Sequence, residues 1–295
     1  MEKYEYLRTI TFDMVKSKLP ERLPEANKGT FGKLLCICGS KNMPGAAFFS
    51  AAAAIKCGVG LVEALIPKSI YESTSKKISE AIFYVVPEDK NGFITYKFLG
   101  DILKESKKCT AVLVGCGLGW NQSTKNITYE LIRNLNIPLI IDADGINVVS
   151  ENIDILKEAK TEIILTPHPK EMSRLTSKDV ETIAANKAKY AREFSEKYEI
   201  TTVLKGNKTA IADKNGNVFI NTTGNSGMAK GGSGDVLSGM ISSFLAQRLS
   251  PIDAAVCAVF LHGMSGDECK KKFSSVSMTP TDLINELPNV FLQFE

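Results

Sequence analysis

The segment NSGMAKGGSGDVLSGM, residues 225–240, sets Gly227, Gly231, Gly232 and Gly234 just ahead of one carboxylate, Asp235, where an apolar periodic run begins. Glycines let successive backbone N–H groups turn inward with no Cβ in the way. A helix start adds its free N–H groups and the positive end of its dipole, and together these bind anions. Gly231, Gly232, Ser233 and Gly234 therefore read as a phosphate cradle. The spacing matches neither G-x-x-x-x-G-K-[ST] nor G-x-G-x-x-G after a strand. A carboxylate beside such a cradle can accept the proton of a hydroxyl that attacks a phosphoryl group. The other reading makes Asp235 a favourable first-turn charge and the glycines a turn.

Other segments carry comparable chemistry. LKGNKTAIAD (204–213) puts Lys205, Gly206, Asn207, Lys208 and Thr209 on a strand-to-strand turn, suited to a nucleotide's phosphates or ribose, or simply a solvated turn. ILTPHPKEM (164–172) holds His168 between two prolines, which fix where it points. That stiffness suits ligand contact, or capping of the helix that Glu171 opens. GSKNMPGAAFF (39–49) offers Gly39, Gly45 and the small Ala46 and Ala47, against which a flat ring could lie. VGCGLGW (114–120) is a glycine loop ending in Gly119. IIDADGIN (140–147) places Asp142 and Asp144 at a strand end, to reach Mg²⁺ through water, shape a pocket, or cap the next helix through Asp144. His262, inside AVFLHGMSGDE, reads as a packed or capping histidine. No serine or cysteine triad is apparent.

The elements that must position these residues alternate between short apolar runs and helical patterns. Strands are expected at 33–40, 60–67, 81–88, 110–119, 137–145, 161–169, 201–213 and 217–223, the last two paired around a turn at 214–216. Helices are expected at 11–18, starting from Thr11, and at 45–58, 121–135, 145–150, 179–198, 233–247 and 251–272. This order predicts an α/β fold: a mostly parallel central sheet with helices on both faces and an antiparallel edge hairpin. One domain over 1–295 is expected, with 1–30 as an N-terminal arm or cap. In open sheets of this class ligands bind beyond the carboxyl ends of the strands. Every candidate loop above follows a strand.

Composition sets the outer bounds. The chain has 295 residues, 44% hydrophobic and 23% charged, with a net charge of +3, which points to neither a nucleic-acid nor a membrane surface. Its seven cysteines are irregularly spaced with no C-x-x-C, so reduced thiols in a cytoplasm are expected rather than a zinc site. MEKYEYLRTI has no apolar signal core, and AAFFSAAAAI is too short to span a bilayer.

GSKNMPGAAFFSAAAAIKCGVGLV, VLVGCGLG, LIIDADGIN, LTPHPKEM, LKGNKT and NSGMAKGGSGDVLSGMISSFLAQ, in that order, resemble the ADP/ATP-dependent NAD(P)H-hydrate dehydratases of the ribokinase-like superfamily. The resemblance implies a repair enzyme that returns S-NADHX and S-NADPHX, the hydrated forms of NADH and NADPH, to the reduced coenzymes. The C6 hydroxyl would be phosphorylated by ADP or ATP with Mg²⁺, and phosphate then eliminated. On that pattern Ala46, Gly119, His168 and Asp235 would contact the hydrated dinucleotide. Lys205, Gly206, Asn207, Lys208, Thr209 and Gly234 would hold the adenine nucleotide. Asp235 is the candidate base. The resemblance also implies a cytoplasmic homotetramer, and an NAD(P)HX epimerase on a separate chain. Two departures stand out: Met43 where many relatives have tyrosine, and Cys116 where many have proline. The rival readings are a ribokinase-like kinase of a vitamin-precursor alcohol and a non-catalytic nucleotide-binding module, which would not need Asp235.

Overall fold

A computed structural model describes residues 7–295. Ten strands form one sheet: β1 (Leu7–Thr9), β2 (Lys33–Ile37), β3 (Leu61–Pro67), β4 (Ile82–Val86), β5 (Ala111–Val114), β6 (Leu139–Ile141), β7 (Ile163–Leu165), β8 (Thr201–Leu204), β9 (Ala210–Ala212) and β10 (Val218–Ile220). Their spatial order is β1-β10-β9-β8-β7-β6-β5-β2-β3-β4. β9 is antiparallel to both its neighbours, and every other pairing is parallel. The expected hairpin is present, and β1 adds beyond it, in register Leu7 to Val218.

Among the described residues, twelve α-helices flank the sheet: α1 (Phe12–Lys16), α2 (Pro44–Lys56), α3 (Lys68–Ser75), α4 (Leu99–Ser106), α5 (Gln122–Asn134), α6 (Asp144–Val149), α7 (Pro169–Thr176), α8 (Val180–Ala185), α9 (Lys187–Tyr198), α10 (Ser233–Ala246), α11 (Pro251–Ser277) and α12 (Pro280–Phe291). Alternation along the strands divides the core in two. Leu34 and Cys36 of β2 face the layer of α1–α3 and α10–α12, whereas Leu35 and Ile37 face α4–α9. Both faces are covered, so the strands read as near-continuous apolar runs.

Several expectations are corrected. The long helix at 179–198 is two helices, because Asn186 leaves helical geometry at φ −129° and ψ 39°. The run 201–213 is two strands separated by the turn at 205–209. Three helices were not foreseen: α3, α4 and α12, the last closing the chain after a break at Ser274 (φ 65°). The first helix does start from Thr11, whose side chain caps it, but ends at Lys16. Residues 1–6 of the expected N-terminal arm lie outside the described residues.

Winding runs outward from β2 through β3 to β4, then restarts at β5 and runs the other way to β8. The reversal leaves a crevice between the carboxyl ends of β2 and β5. α10 packs across β2, β5 and β6, which puts its N-terminus at that crevice.

Candidate functional site

At the mouth of α10, Gly232 takes φ +100°, a conformation open to glycine, and a Cβ there would come within 2.6 Å of the Phe49 ring. No side chain caps this helix, nor α2 or α6, which start nearby. Ser233 N–H donates to Lys230 O at 3.2 Å, and with no side-chain cap the N–H groups that follow it face a ligand site.

Asp235 stands in the first turn of α10 beside Cys116 and Asp142, with one ligand-type atom of each within 4.8 Å of the others. Burial raises its pKa to about 7, and the negative charge of Asp142 adds to the effect. Asp142 is 1% exposed and has taken the opposite course. Burial works against its charge, but Lys205, whose Nζ donates to Oδ1 at 2.8 Å, outweighs burial and holds the pKa below the usual carboxylate range. The Ser238 hydroxyl donates to Oδ2 at 2.7 Å, and the Cys116 thiol lies 3.6 Å from the same oxygen. Lys205 is likewise kept charged: Asp142 and Glu171 overcome its burial. Two neighbouring carboxylates thus take different protonation states, one fixed as an anion and one poised near neutrality.

Of the two readings of His168, the structure shows the capping one. It is the N-cap of α7, its Nδ1 accepting from Glu171 N–H at 3.1 Å while Glu171 Oε2 accepts from His168 N–H at 2.8 Å. Its side chain remains half-exposed and lines the same cleft as Asp235. Burial, with a minor contribution from Lys205, lowers the pKa of the ring, and burial raises that of Glu171.

The cleft has a volume of about 940 Å³. Lys205, Gly206, Asn207, Lys208 and Thr209 form one wall, Gly231, Gly232, Ser233, Gly234 and Asp235 another, and His168 with Pro169 a third. The turn 205–209 is not a plain solvated one, since Thr209 is buried and Lys205 is drawn in to Asp142. Ala46 and Gly119 do not line this cleft. Ala46 is 3% exposed, its methyl packed towards Gly117. Gly119 donates its N–H to Asp144 Oδ2 at 2.8 Å. Asp144 is therefore not the cap of α6, a place taken by Ala143, but the anchor of the 115–119 loop.

Sequence reasoning missed the residues that hold the cradle from behind. Asp267 on α11 accepts from Gly224 N–H at 2.8 Å and from Asn225 Nδ2 at 3.0 Å. Asn225 Nδ2 also donates to Gly266 O at 2.8 Å. The signal available was the cluster GMSGDE, whose small residues in a helix mark a close approach. Ser238, three residues after Asp235, had only its spacing to announce it.

The acidic residues of the cleft admit Mg²⁺ in one way. Asp142 is engaged by Lys205 and Ser238, and Glu171 by the His168 cap. Cys116 is a soft donor that Mg²⁺ does not choose. This set suits an ion carried on a ligand's phosphates and reached from Asp235, not a cage made by protein alone.

The model of the NAD(P)H-hydrate dehydratase family matches residues 34–289. The chain is 32% identical to the ADP-dependent (S)-NAD(P)H-hydrate dehydratase of Bacillus subtilis (strain 168), over 97% of this chain and 98% of that protein. It is 33% identical to a bifunctional NAD(P)H-hydrate repair enzyme of Moorella thermoacetica, over 98% of this chain and 54% of that one, and so spans about half the length of that relative. The crystal structure of the Bacillus subtilis ADP/ATP-dependent NAD(P)H-hydrate dehydratase, co-crystallised with ATP and Mg²⁺, superposes with a TM-score of 0.84 at 29% identity, over 99% of this chain and 100% of that chain. A ribokinase-like superfamily protein of Enterococcus faecalis V583 superposes with a TM-score of 0.85 at 26% identity, over 100% and 98% of the two chains.

Proposed function

The chain belongs to the NAD(P)H-hydrate dehydratase family, and from that premise we propose that it is a repair dehydratase that returns S-NADHX and S-NADPHX to NADH and NADPH at the expense of ADP or ATP. The observation that carries this reading is the poised Asp235 beside an uncapped glycine cradle, facing the Lys205–Thr209 wall across one cleft.

In this reading the nucleotide lies along Lys205–Thr209, with its terminal phosphate at Gly231–Gly234. Asp235 takes the proton from the C6 hydroxyl as its oxygen attacks that phosphorus, and AMP or ADP leaves. The cradle N–H groups stabilise the charge on the transferring oxygens. The new phosphate ester leaves as inorganic phosphate while the neighbouring ring carbon gives up a proton, which restores the double bond. Mg²⁺, when bound, neutralises phosphate charge. Lys205 is committed to Asp142, so its part is to fix that anion behind Asp235 and to present positive charge to the cleft. His168 contacts the hydrated ring from the third wall, while Ala46 and Gly119 would meet the dinucleotide outside the cleft. The cytoplasmic homotetramer and the separate epimerase that supplies the S form belong to the same proposal.

The test is to incubate the protein with hydrated NADH and either ADP or ATP, and to follow the return of reduced-nicotinamide absorbance. Asp235→Asn is expected to lower turnover by roughly two or more orders of magnitude, the usual contribution of a general base. Absence of recovery with both nucleotides, with phosphorylation of a pyrimidine or thiazole alcohol instead, would overturn the reading.

A further inference from the structure

Trp120 is the only tryptophan of the chain, and it is 51% exposed. One exposed aromatic is ordinary on a protein surface. This one, however, is fixed by polar partners. Its indole N–H donates to Glu151 Oε1, and Lys125 Nζ donates to Glu151 Oε2 at 2.8 Å. The guanidinium of Arg174, on α7, lies over the ring at 5.5 Å from its centroid. Arg174 Nη1 donates to Asn147 Oδ1 at 2.7 Å, Asn147 Nδ2 donates to Asp144 Oδ1 at 3.3 Å, and Gly119 N–H donates to Asp144 Oδ2 at 2.8 Å. These contacts close a circuit from Gly119 through Asp144, Asn147 and Arg174 to Trp120, the next residue in the chain. Half of the ring stays open to solvent, so the circuit does little for the core. What it fixes is the orientation of a flat apolar surface, and a surface fixed in advance loses little freedom when a ligand settles on it.

The place of the ring limits what it can hold. α7 starts from His168 in the wall of the cleft, and Arg174 lies further along the same helix, roughly 9 Å away at about 1.5 Å per residue. Trp120 itself does not line the cleft. The reacting ring of the hydrated dinucleotide has to reach Asp235 inside the cleft, and its saturated carbons leave it puckered, a poor partner for stacking. The nucleotide co-substrate is assigned to the turn 205–209, which follows β8, whereas Trp120 follows β5, with β6 and β7 between them. What remains to extend past the cleft is the adenosine half of the dinucleotide. Its base is flat and aromatic, and an indole stacks well on such a ring.

We propose that Trp120 stacks on the adenine base of the hydrated dinucleotide and so selects a dinucleotide over a mononucleotide form of the substrate. The proposal rests on the repair reading above and concerns the end of the substrate that does not react. Arg174 is a positioning residue, its cation steadying the indole from one face. The stack is made equally in the ground state and during phosphoryl transfer, so it acts on KM for the dinucleotide and not on kcat.

The single tryptophan makes the contact directly visible. With ADP in excess, NAD⁺, which carries the same adenosine half and does not absorb indole emission, is expected to quench the fluorescence of the full chain. ADP alone and nicotinamide mononucleotide are not. In turnover assays Trp120→Ala should raise KM for hydrated NADH about tenfold, the order expected for one base–aromatic stack, with kcat and KM for ADP unchanged. The same variant should keep the wild-type KM for the hydrated form of reduced nicotinamide mononucleotide, which has no adenine. Trp120→Phe keeps a flat ring without the N–H to Glu151 and should recover most of the affinity. No quenching by NAD⁺ would overturn the proposal. Quenching by ADP or by nicotinamide mononucleotide would do so too, because another group would then lie on the ring. An unchanged KM for hydrated NADH in Trp120→Ala, or an equal rise for both substrates, would overturn it while leaving the functional reading intact. A wild-type chain that returns no reduced nicotinamide from hydrated NADH with either ADP or ATP would overturn the functional reading itself, and this proposal with it.

Discussion

At the scale of single residues, the site works by keeping two carboxylates apart in protonation. Asp142 is tied to Lys205 and stays an anion, and its charge helps burial to push Asp235 up to about 7. This has a consequence for stability. Between the ordinary aspartate pKa near 4 and the folded value near 7, the folded chain holds a proton on Asp235 that the unfolded chain has released. Stability therefore falls as pH rises through that window and levels off above it. Asp235→Asn removes the penalty, so the variant should melt higher than the wild type at pH 8, with the gap shrinking towards pH 5; thermal scans at the two pH values check this. An inactive variant that is also the more stable one would show that the site is held at the fold's expense. Most residues of this machinery were legible in the sequence because each follows a strand directly. The pairing of Lys205 with Asp142 was not, since it joins positions 63 residues apart through the sheet alone. Nor was the capping role of His168 settled, because capping depends on backbone geometry that the flanking prolines allow but do not dictate.

At the scale of elements, the position of α10 depends on how closely α2 admits it. A Cβ on Gly239 would lie 2.1 Å from the Ser50 carbonyl oxygen, so the two helices touch backbone to side-chain-free backbone. The alanines of α2 make the same approach possible from the other side: Ala46, Ala47, Ala51, Ala53 and Ala54 are all buried. Gly239→Val should cost about 1–3 kcal/mol of stability through overpacking, measured by denaturant titration. Turnover should fall as well, because displacing α10 displaces the cradle and Asp235 together. A variant with wild-type stability would show that the helices have room to spare. The strand–helix alternation that carries α2 and α10 was legible from periodicity. The break at Asn186 was hidden by helix-compatible residues on both sides. α12 was hidden by Pro288 within it, although Thr279, Pro280 and Asp282 together spell a capping box. β1 is three residues long, and its partner is more than two hundred positions away, so no local pattern could reveal it.

At the scale of the whole molecule, the two-sided burial of the sheet governs what the solvent can reach. All seven cysteines are buried and free. Burial raises Cys109 and Cys269 to about 11 and Cys257 to about 12, well above any physiological pH. A thiol reagent should therefore label the native chain slowly and label seven groups only after unfolding, and reductant should leave the thermal midpoint unchanged. Rapid native labelling would mean that the layers open readily. The reversed strand β9 carries the last consequence, which is one of parity. A chain leaving β8 at the catalytic rim and crossing the sheet once would finish at the opposite rim. Crossing twice, through β9 and β10, brings it back with a connection of only a few residues on each side. The Lys205–Thr209 wall and the glycine turn before α10 are thus successive stops on one short itinerary, residues 205–235, and share a rim because the number of crossings between them is even. Any insertion or loss of strands here must come in pairs: a single strand gained or lost would send α10 and Asp235 to the wrong end of the molecule, however well the new sheet packed.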